Sequence, residues 1–285
     1  MPLDNAALII GGQPKAGTSS LFHWLSQHPD VEPSKVKEVR FFLDLNYPLP
    51  SGSRYDGTNV QRYRKFFSDV SGARVLLDSS PDYLYSKNAL QIRKAIPNAR
   101  LVFIVRDPVE RIVSWYKFAA QIGRLKAGMT FEEYVDYQLK HRVTAETPIH
   151  LRALEQNRVE KYLTPFLDRF GDDCLVLDFA DLKADPRAVV KRICDFSNLD
   201  PCFFDSFIFK PRNVSTGRQA SKSSRFYFRM RARFNYSLLP SAPVRATVRP
   251  LGLLMKKLFV QSRTLNSFEV TDGCADAIRA HAAEH

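Results

Sequence analysis

The stretch AALIIGGQPKAGTSSL, residues 6–21, indicates how the amino-terminal part of the chain folds. Residues 6–12 form a short apolar run that ends in glycines, which is typical of a buried parallel strand that enters a tight loop. Residues 19–28 then place apolar side chains on one helical face, and Pro29 ends the pattern. A strand, a glycine loop and a helix in this order predict an α/β fold.

Further apolar runs alternate with helical patterns along the chain. The runs cover residues 74–78, 100–105 and 174–179. The helical patterns cover residues 89–96, 109–122, 131–141 and 149–170, the last of which contains Pro165 as a potential kink. This alternation predicts an α/β fold class with a P-loop-like central parallel sheet and helices on both faces. Ligands bind beyond the carboxyl ends of such strands, where we expect Gly12, Asp78 and Arg106 to converge on one crevice.

The glycine loop predicts an anion-binding site. Backbone N–H groups and hydroxyls at a helix N-terminus favour phosphate. The candidate residues are Lys15, Ala16, Gly17, Thr18, Ser19 and Ser20. In the ATP-type loop GxxxxGK[ST] the lysine follows the second glycine, whereas here Thr18 has that position and the lysine stands inside the loop. Lys15 can therefore reach a phosphate and the oxygen that bridges to a transferred group. The alternative is a plain glycine turn that is capped by Thr18 or Ser19.

A second motif, IVRDPVERIVSWYK at residues 104–117, predicts a phosphate contact at the next strand end. Arg106 follows the strand, and Ser114 lies two turns into the helix that begins after it. Arginine suits bidentate capture of a phosphate, and the serine can add a hydroxyl. The alternative is a helix that Asp107 caps, with a solvated ion cluster formed by Arg106, Glu110 and Arg111.

Together and in this order, the two motifs resemble those of the PAPS-dependent sulfotransferase family. The resemblance runs from about Ala6 to about Pro201 and includes VLDFADLKADP, residues 176–186, which is similar to the family's VLxYEDLxxDP stretch. It implies an enzyme that uses PAPS as donor, releases PAP and works without a metal. It also implies that the first loop binds the 5′-phosphosulfate, and that Arg106 and Ser114 bind the 3′-phosphate.

Two more segments resemble the heparan sulfate N- and O-sulfotransferase branch of that family. KEVRFFLD, residues 37–44, resembles its KEVHFFD segment, and SSPDYLY, residues 79–85, resembles its KTPxYF segment. By this resemblance Glu38 falls on the catalytic base, with a pKa that we expect partial burial to raise. Lys15 would stabilise the charge on the leaving phosphate oxygen. The second candidate for the base is His150.

Glu38 also has a purely structural interpretation, as a surface carboxylate paired with Lys35 or Arg40. The sequence departs from the branch at several positions. Arg40 replaces a histidine, the aspartate after the two phenylalanines is displaced to Asp44, and Ser79 replaces a lysine. Most of these changes lie on the acceptor side and weaken the inference that heparan sulfate itself is the substrate. We expect a carbohydrate, a glycolipid or a small metabolite as acceptor.

A third nucleotide contact is predicted at STGR, residues 215–218, which resembles the SKGR part of a family loop that closes over the nucleotide. Its lysine is replaced by Thr216. We expect Gly217 and Arg218 to contact the nucleotide from this loop, and Arg212 is a further candidate.

Charge is concentrated near the carboxyl end of the chain. The formal net charge is +12, and residues 206–268 contain thirteen Lys or Arg and no Asp or Glu. We expect one domain over residues 1–285, with an α/β core at 6–205 and a basic segment at 206–268 that caps the nucleotide and acceptor site. The basic segment predicts peripheral contact with a membrane or an anionic glycan, and its alternative is two ordinary helices that pack on the core.

Several classes of protein are disfavoured. The four cysteines have irregular spacing, which predicts neither a zinc site nor a disulfide framework. The chain has no apolar run of about 18 residues and no signal-like start, so we expect a cytoplasmic protein of bacterial type, with no nucleic-acid partner. Two rival functions are a P-loop small-molecule kinase and a non-catalytic protein that binds polyanions or membranes. The kinase function is disfavoured, because the chain lacks a lysine directly after the second glycine and an evident magnesium-binding carboxylate.

Overall fold

The computed structural model describes residues 3–49, 51, 53–68, 74–126, 128–212, 218–220, 262–264 and 268–284, and for residues 218–220 and 262–264 it describes the backbone. The described residues form one five-stranded parallel sheet and one antiparallel pair of short strands. The sheet contains β1 (Ala6–Gly12), β2 (Val31–Pro33), β3 (Val75–Ser79), β4 (Ala99–Val105) and β5 (Cys174–Asp178) in the order β2-β3-β1-β4-β5. The antiparallel pair is β6 (Arg218–Ala220) with β7 (Ser262–Thr264).

The helices follow the strands in alternation. They are α1 (Thr18–Leu25), α2 (Ile92–Ala95), α3 (Pro108–Gln121), α4 (Phe131–Lys140), α5 (Val159–Phe170), α6 (Phe179–Ala184), α7 (Pro186–Ser197) and α8 (Asp272–Ala283). Short 3₁₀ turns lie at Val60–Phe66, Pro81–Tyr85, Lys87–Gln91, Ile149–Leu151, Glu155–Asn157, Gly171–Asp173 and Pro201–Phe204.

Both faces of the sheet are covered by helices. Alternate side chains of β1 point to opposite faces, as they do in any strand. Leu8 and Ile10 belong to a buried cluster with residues of α1 and α7. Ala7 and Ile9 belong to a second cluster with residues of α2 and α5. The predicted α/β class is therefore confirmed, because a parallel sheet that is buried on both faces is its defining feature.

A third apolar cluster joins α3, α4 and α8. A capping box defines the start of α4. Glu133 N donates to Thr130 Oγ1 at 3.1 Å, and Thr130 N donates to Glu133 Oε2 at 2.9 Å. Within the described ranges, no helix is long and apolar enough to cross a bilayer.

The end of β1 requires glycine. Gly12 has a φ of 109° and pairs with Ile104 of β4. A side-chain Cβ at Gly12 would overlap the backbone nitrogen and oxygen of Ile104. The close approach of β1 to β4 is thus possible only without a side chain, and it places the glycine loop beside the end of β4.

The prediction of one helix over residues 149–170 is wrong. The structure has 3₁₀ turns at Ile149–Leu151 and Glu155–Asn157 before α5 begins at Val159. Arg111 of α3 is fully buried and causes the break. Its guanidinium donates to Ala153 O at 2.8 Å, to Asn157 Oδ1 at 2.6 Å and to Gln156 Oε1 at 3.3 Å. These bonds turn the 153–157 segment towards α3 instead of into a helix.

Two other local predictions need correction. The helix predicted over residues 89–96 is only α2, because Asn88 holds the preceding turn through its N–H to Asp44 Oδ1 at 2.8 Å. The apolar run predicted over residues 174–179 ends as a strand at Asp178, and residues 179–186 form α6 and the start of α7. Asp178 and Asp185 cap these helices, with Oδ1 atoms that accept N–H bonds at 2.7 and 3.0 Å.

Candidate active site

The glycine loop has a left-handed backbone at two positions. Lys15 has a φ of 79° and Gly17 a φ of 86°. Gly17 is the N-cap residue of α1, so neither Thr18 nor Ser19 caps this helix. A Cβ at Gly17 would lie 2.7 Å from Leu182 Cδ2 of α6. The loop therefore packs closely on α6 and presents the first N–H groups of α1, which suits an anion.

The first residues of α1 are held by contacts with other segments. Ser20 Oγ accepts the backbone N–H of Arg212 at 2.9 Å, and Ser79 Oγ donates to Thr18 O at 3.4 Å. Ser19 is half-buried at the same helix end, and Ala16 is fully buried beneath the loop. Ala16 can thus offer only its backbone to a ligand, whereas the hydroxyls stand at the helix N-terminus.

Lys15 carries the charge of the loop. Its Nζ lies 4.4 Å from the centre of the Phe118 ring of α3. Burial lowers the pKa of Lys15 to about 8, and repulsion by Arg106 and Lys37 adds to this, while Glu38 opposes it. Two cations and one carboxylate thus surround this ammonium group, and an added anion would relieve the repulsion among the three cations.

Arg106 lies beside the same loop. Its NH1 donates to Lys15 O at 2.9 Å, and its Nε and NH2 donate to Glu110 Oε2 at 3.2 and 2.9 Å. These contacts use three of the five N–H groups of a guanidinium. The alternative interpretation is correct in two parts, because Asp107 caps α3 by accepting from Glu110 N at 2.8 Å and Arg106 forms an ion pair with Glu110. It is wrong for Arg111, which is buried rather than solvated.

One face of α3 lies against the glycine loop. Glu110 contacts Arg106, and Phe118 contacts Lys15. Ser114 lies four residues from each of them, and residues at this spacing share a helix face. The structure therefore brings Ser114 to the side of α3 that meets Arg106 and Lys15, where it is half-buried.

Glu38 lies within the same group of charges. Its carboxylate accepts from Lys37 Nζ at 3.2 Å and from Arg40 NH2 at 2.5 Å. Burial would raise the pKa of Glu38, but attraction and hydrogen bonds from Lys37 and Arg40 outweigh it, so the pKa lies below its usual value. The expectation of a raised pKa is therefore wrong. The predicted pairing with Arg40 is present, whereas Lys35 donates to Lys65 O at 3.3 Å.

His150, the second candidate for the base, has different neighbours. It lies in the 3₁₀ turn before α5, and its backbone oxygen accepts from Tyr134 at 2.6 Å. Burial and the charge of Arg124 lower the pKa of His150 to about 4. Its imidazole is thus neutral at pH 7 and is a weak base.

Gln13 is a site residue that the sequence analysis missed. It is fully buried, and its Oε1 accepts the backbone N–H of Arg106 at 2.8 Å. Its Nε2 donates to Gln156 O at 3.4 Å. A polar side chain between the glycines and Pro14 was the available clue, since a buried amide needs partners. Gln13 fixes the backbone from which the Arg106 side chain extends.

A cavity of about 550 Å³ opens on the other side of Arg106. Its walls include Glu110, Phe179 and Lys183. The guanidinium carbon of Arg106 lies 4.4 Å from the centre of the Phe179 ring, a cation–π contact that holds the arginine at the cavity edge. The site thus combines a loop that carries a cation, an arginine of the kind that binds phosphate, and an adjacent open cavity.

Part of the predicted site lies beyond what the structure describes. Gly217 and the side chain of Arg218 lie outside the described residues, as does most of the basic segment at 206–268. In the described part of the chain, no group of three or more His, Cys, Asp or Glu is placed to hold a metal ion.

A family model described as "Sulfotransferase domain" matches residues 5–202, which is more than half of the chain. The chain belongs to the sulfotransferase family. Recognition of the PAPS-dependent sulfotransferase family from the motifs is therefore confirmed, as is the prediction of an enzyme.

Among curated sulfotransferases, human bifunctional heparan sulfate N-deacetylase/N-sulfotransferase 2 is 28% identical over 215 residues, covering 68% of this chain and 22% of the relative. Membrane-associated sulfotransferase kil1 of Dictyostelium discoideum is 28% identical over 145 residues, covering 50% of this chain and 28% of the relative. The chain thus spans less than a third of the length of these relatives.

A solved structure supports the fold. The crystal structure of a sulfotransferase from Alicyclobacillus acidocaldarius matches with a TM-score of 0.59 at 22% identity, covering 90% of this chain and 96% of that chain. At this identity the likeness concerns the fold.

Proposed function

We propose that this sulfotransferase moves the sulfuryl group of PAPS to a hydroxyl or an amine of a carbohydrate acceptor and releases PAP. The observation that carries the proposal is the pairing of Lys15 with Arg106, in which a guanidinium N–H rests on the backbone oxygen of the loop lysine at 2.9 Å. This arrangement differs from the ATP-type loop, in which the lysine follows the second glycine.

The donor would bind along this pair. The loop at residues 15–20 suits the 5′-phosphosulfate, because α1 presents its first N–H groups there. Arg106 and Ser114 suit the 3′-phosphate, since both lie on the α3 side of the loop. The cavity beside Phe179 has room for part of the nucleoside. Gly217 and Arg218 remain predicted contacts to the nucleotide.

The transfer step requires little covalent chemistry from the protein. The acceptor oxygen or nitrogen attacks sulfur, the bond from sulfur to the bridging phosphate oxygen breaks, and its electron pair stays on PAP. Lys15 is placed to stabilise the charge on that oxygen. Glu38 is the proposed acceptor of the proton from the nucleophile. Its position near Lys15 supports this role, although its ion pairs make it a weaker base than a free carboxylate.

The acceptor class is proposed from charge and from relatives. Lys37 and Arg40 flank the Glu38 carboxylate and together favour an acceptor that carries anionic groups. Heparan sulfate appears in the name of the human relative. We therefore place an anionic carbohydrate first, with a glycolipid or a small metabolite as alternatives. Contact of residues 206–268 with a membrane or an anionic glycan remains a prediction, as does a cytoplasmic location.

The test is a transfer assay with purified protein. PAPS is incubated with N-desulfated heparan, with a glycolipid and with a phenol, and the sulfated product and PAP are quantified by mass spectrometry. We expect sulfated product from the glycan. The proposed function would be contradicted if none of the three acceptors were sulfated by PAPS and an acceptor were instead phosphorylated in the presence of ATP and magnesium.

Arg106→Ala is expected to remove most of the preference for PAP over AMP. These two nucleotides differ in the 3′-phosphate, and a charge-assisted hydrogen bond is worth about 1.5–3 kcal/mol, which is about ten- to a hundredfold in affinity. Isothermal titration calorimetry measures both affinities. Arg62→Ala is the matched control, because Arg62 is an exposed arginine that pairs with Asp56 away from this loop. Equal affinities for PAP and AMP in the unmodified protein would refute the assigned role.

A further inference from the structure

The segment that carries Glu38 has an unusual backbone. Glu38 has a φ of 65° and Arg40 a φ of 59°. Residues other than glycine adopt this left-handed region only at a cost in free energy. Such a conformation persists only when the surroundings hold it, so the contacts of this segment decide where the Glu38 carboxylate stands.

Three alternate backbone N–H groups of the segment donate to the last residue of β3 and to residues that follow it. Glu38 N donates to Ser79 O at 3.0 Å. Arg40 N donates to Ser80 Oγ at 3.1 Å, and Phe42 N donates to Tyr83 OH at 3.3 Å. Two of the three acceptors are thus side-chain hydroxyls, which can turn unless their own protons are fixed.

One carboxylate fixes both hydroxyls. Ser80 Oγ donates to Asp78 Oδ1 at 2.8 Å, and Tyr83 OH donates to Asp78 Oδ2 at 2.9 Å. Tyr63 OH also donates to Asp78 Oδ2, at 3.1 Å. Asp78 is fully buried, so these hydroxyls take the place of water. With their protons committed to Asp78, Ser80 and Tyr83 present lone pairs to the backbone of residues 40 and 42.

The same strand end is connected to the glycine loop. Asp78 pairs with Ile9 and Ser79 with Ile10 in the register of β3 with β1. Ser79 Oγ donates to Thr18 O at the start of α1. A short chain of contacts therefore joins the loop that carries Lys15 to the segment that carries Glu38. The expectation that Asp78 lines the crevice is wrong, because its side chain is fully buried.

We propose that Asp78 is a positioning residue for sulfotransfer. It fixes the backbone of residues 38–42 through Ser80 and Tyr83 and thereby holds the Glu38 carboxylate in its position relative to Lys15. Its effect on turnover rests on the proposed function, whereas its effect on the segment does not. A misplacement of about 1 Å at a reacting group can cost about a hundredfold in rate, so this anchor is expected to matter for turnover more than for donor binding.

The test compares Tyr83→Phe with Tyr63→Phe. Both phenols are fully buried and both donate to the same oxygen of Asp78, but only Tyr83 also accepts from Phe42 N. Replacing Asp78 itself would leave three buried hydroxyls without their acceptor, and the protein would lose stability for that reason alone. Ser80→Ala serves as the second test variant, because it removes the acceptor of Arg40 N.

Amide hydrogen exchange of residues 38–42, followed by mass spectrometry, is the first measurement. We expect exchange to be about tenfold faster in Tyr83→Phe and Ser80→Ala and unchanged in Tyr63→Phe. Turnover with PAPS and N-desulfated heparan is the second measurement, and we expect kcat to fall about ten- to a hundredfold in the first two variants. The PAP Kd should remain within about twofold in all three variants, because the loop is intact.

Equal exchange and equal turnover in Tyr83→Phe and Tyr63→Phe would overturn the proposal, since Asp78 would then only stabilise the core. Faster exchange with unchanged kcat would also overturn it, because the segment would not need to be fixed. If the unmodified protein transfers no sulfate to any acceptor, the proposed function fails. The exchange rates still decide whether Asp78 anchors the segment.

Discussion

Replacing Glu38 by glutamine is expected to lower turnover about a hundredfold without weakening PAP binding. General base catalysis contributes about 10²–10⁴-fold, and the efficiency of a base rises with its pKa. Burial would raise the pKa of Glu38, but the pairing with Lys37 and Arg40 outweighs it and keeps that pKa below its usual value. The carboxylate is thus ionised at neutral pH but is a weak base, so we expect the lower end of the range. Steady-state kinetics and calorimetry with PAP measure the two quantities.

Glu38→Asp is the matched control, because it keeps the charge and withdraws the carboxylate by one methylene. An intermediate loss is expected. Since the pKa of Glu38 lies below its usual value, its protonation should reduce activity only at a pH below the range in which a free glutamate titrates. Near-normal turnover of Glu38→Gln, together with an inactive His150→Ala, would move the base to His150. That imidazole is neutral at pH 7, because burial and Arg124 lower its pKa to about 4.

Replacing Lys15 by alanine is expected to lower kcat about 10²–10³-fold, the usual loss when one stabilising donor is removed from a developing oxyanion. PAP affinity should fall less, since the charge on the bridging oxygen grows as its bond to sulfur breaks. The pKa of about 8 adds a pH test. The ammonium form is lost as pH rises through that value, so kcat/KM for PAPS should fall above about pH 8.

Lys15→Arg separates charge from geometry. A guanidinium stays protonated well above pH 10, so the fall of kcat/KM near pH 8 should disappear in whatever activity this variant retains. A Lys15→Ala enzyme with unchanged kcat and a raised KM for PAPS would show that the ammonium group only binds the donor.

The strand, loop and helix at the amino terminus could be predicted because their determinants are local. The apolar run of β1, the two glycines and the hydroxyl residues of α1 are adjacent in sequence, and each has one dominant physical interpretation. Arg106 could be placed for the same reason, since Pro108 begins a helix directly after an apolar strand. The predicted strands at 6–12, 74–78, 100–105 and 174–179 match β1, β3, β4 and β5 to within a residue or two.

The remaining features depend on residues that are distant in sequence. The pKa of Glu38 is lowered by neighbours that the left-handed backbone turns towards it, and no pattern in residues 37–44 indicates that backbone. The break before α5 is caused by Arg111, more than 40 residues earlier in the chain. Asp78 follows an apolar strand like Arg106, yet three hydroxyls from two segments enclose it. A position at the end of an apolar strand therefore does not by itself show whether the side chain is enclosed, like Asp78, or lies beside the glycine loop, like Arg106.

The burial of Arg111 has a consequence for how the enzyme unfolds. A guanidinium that is fully enclosed is tolerable only while Ala153, Gln156 and Asn157 supply oxygen atoms to it. Separation of this turn from α3 would take these three acceptors away from a buried cation, which costs several kcal/mol. We therefore expect α3, with Ser114, and the turn before α5 to melt as one cooperative unit, so that the donor site is either complete or absent.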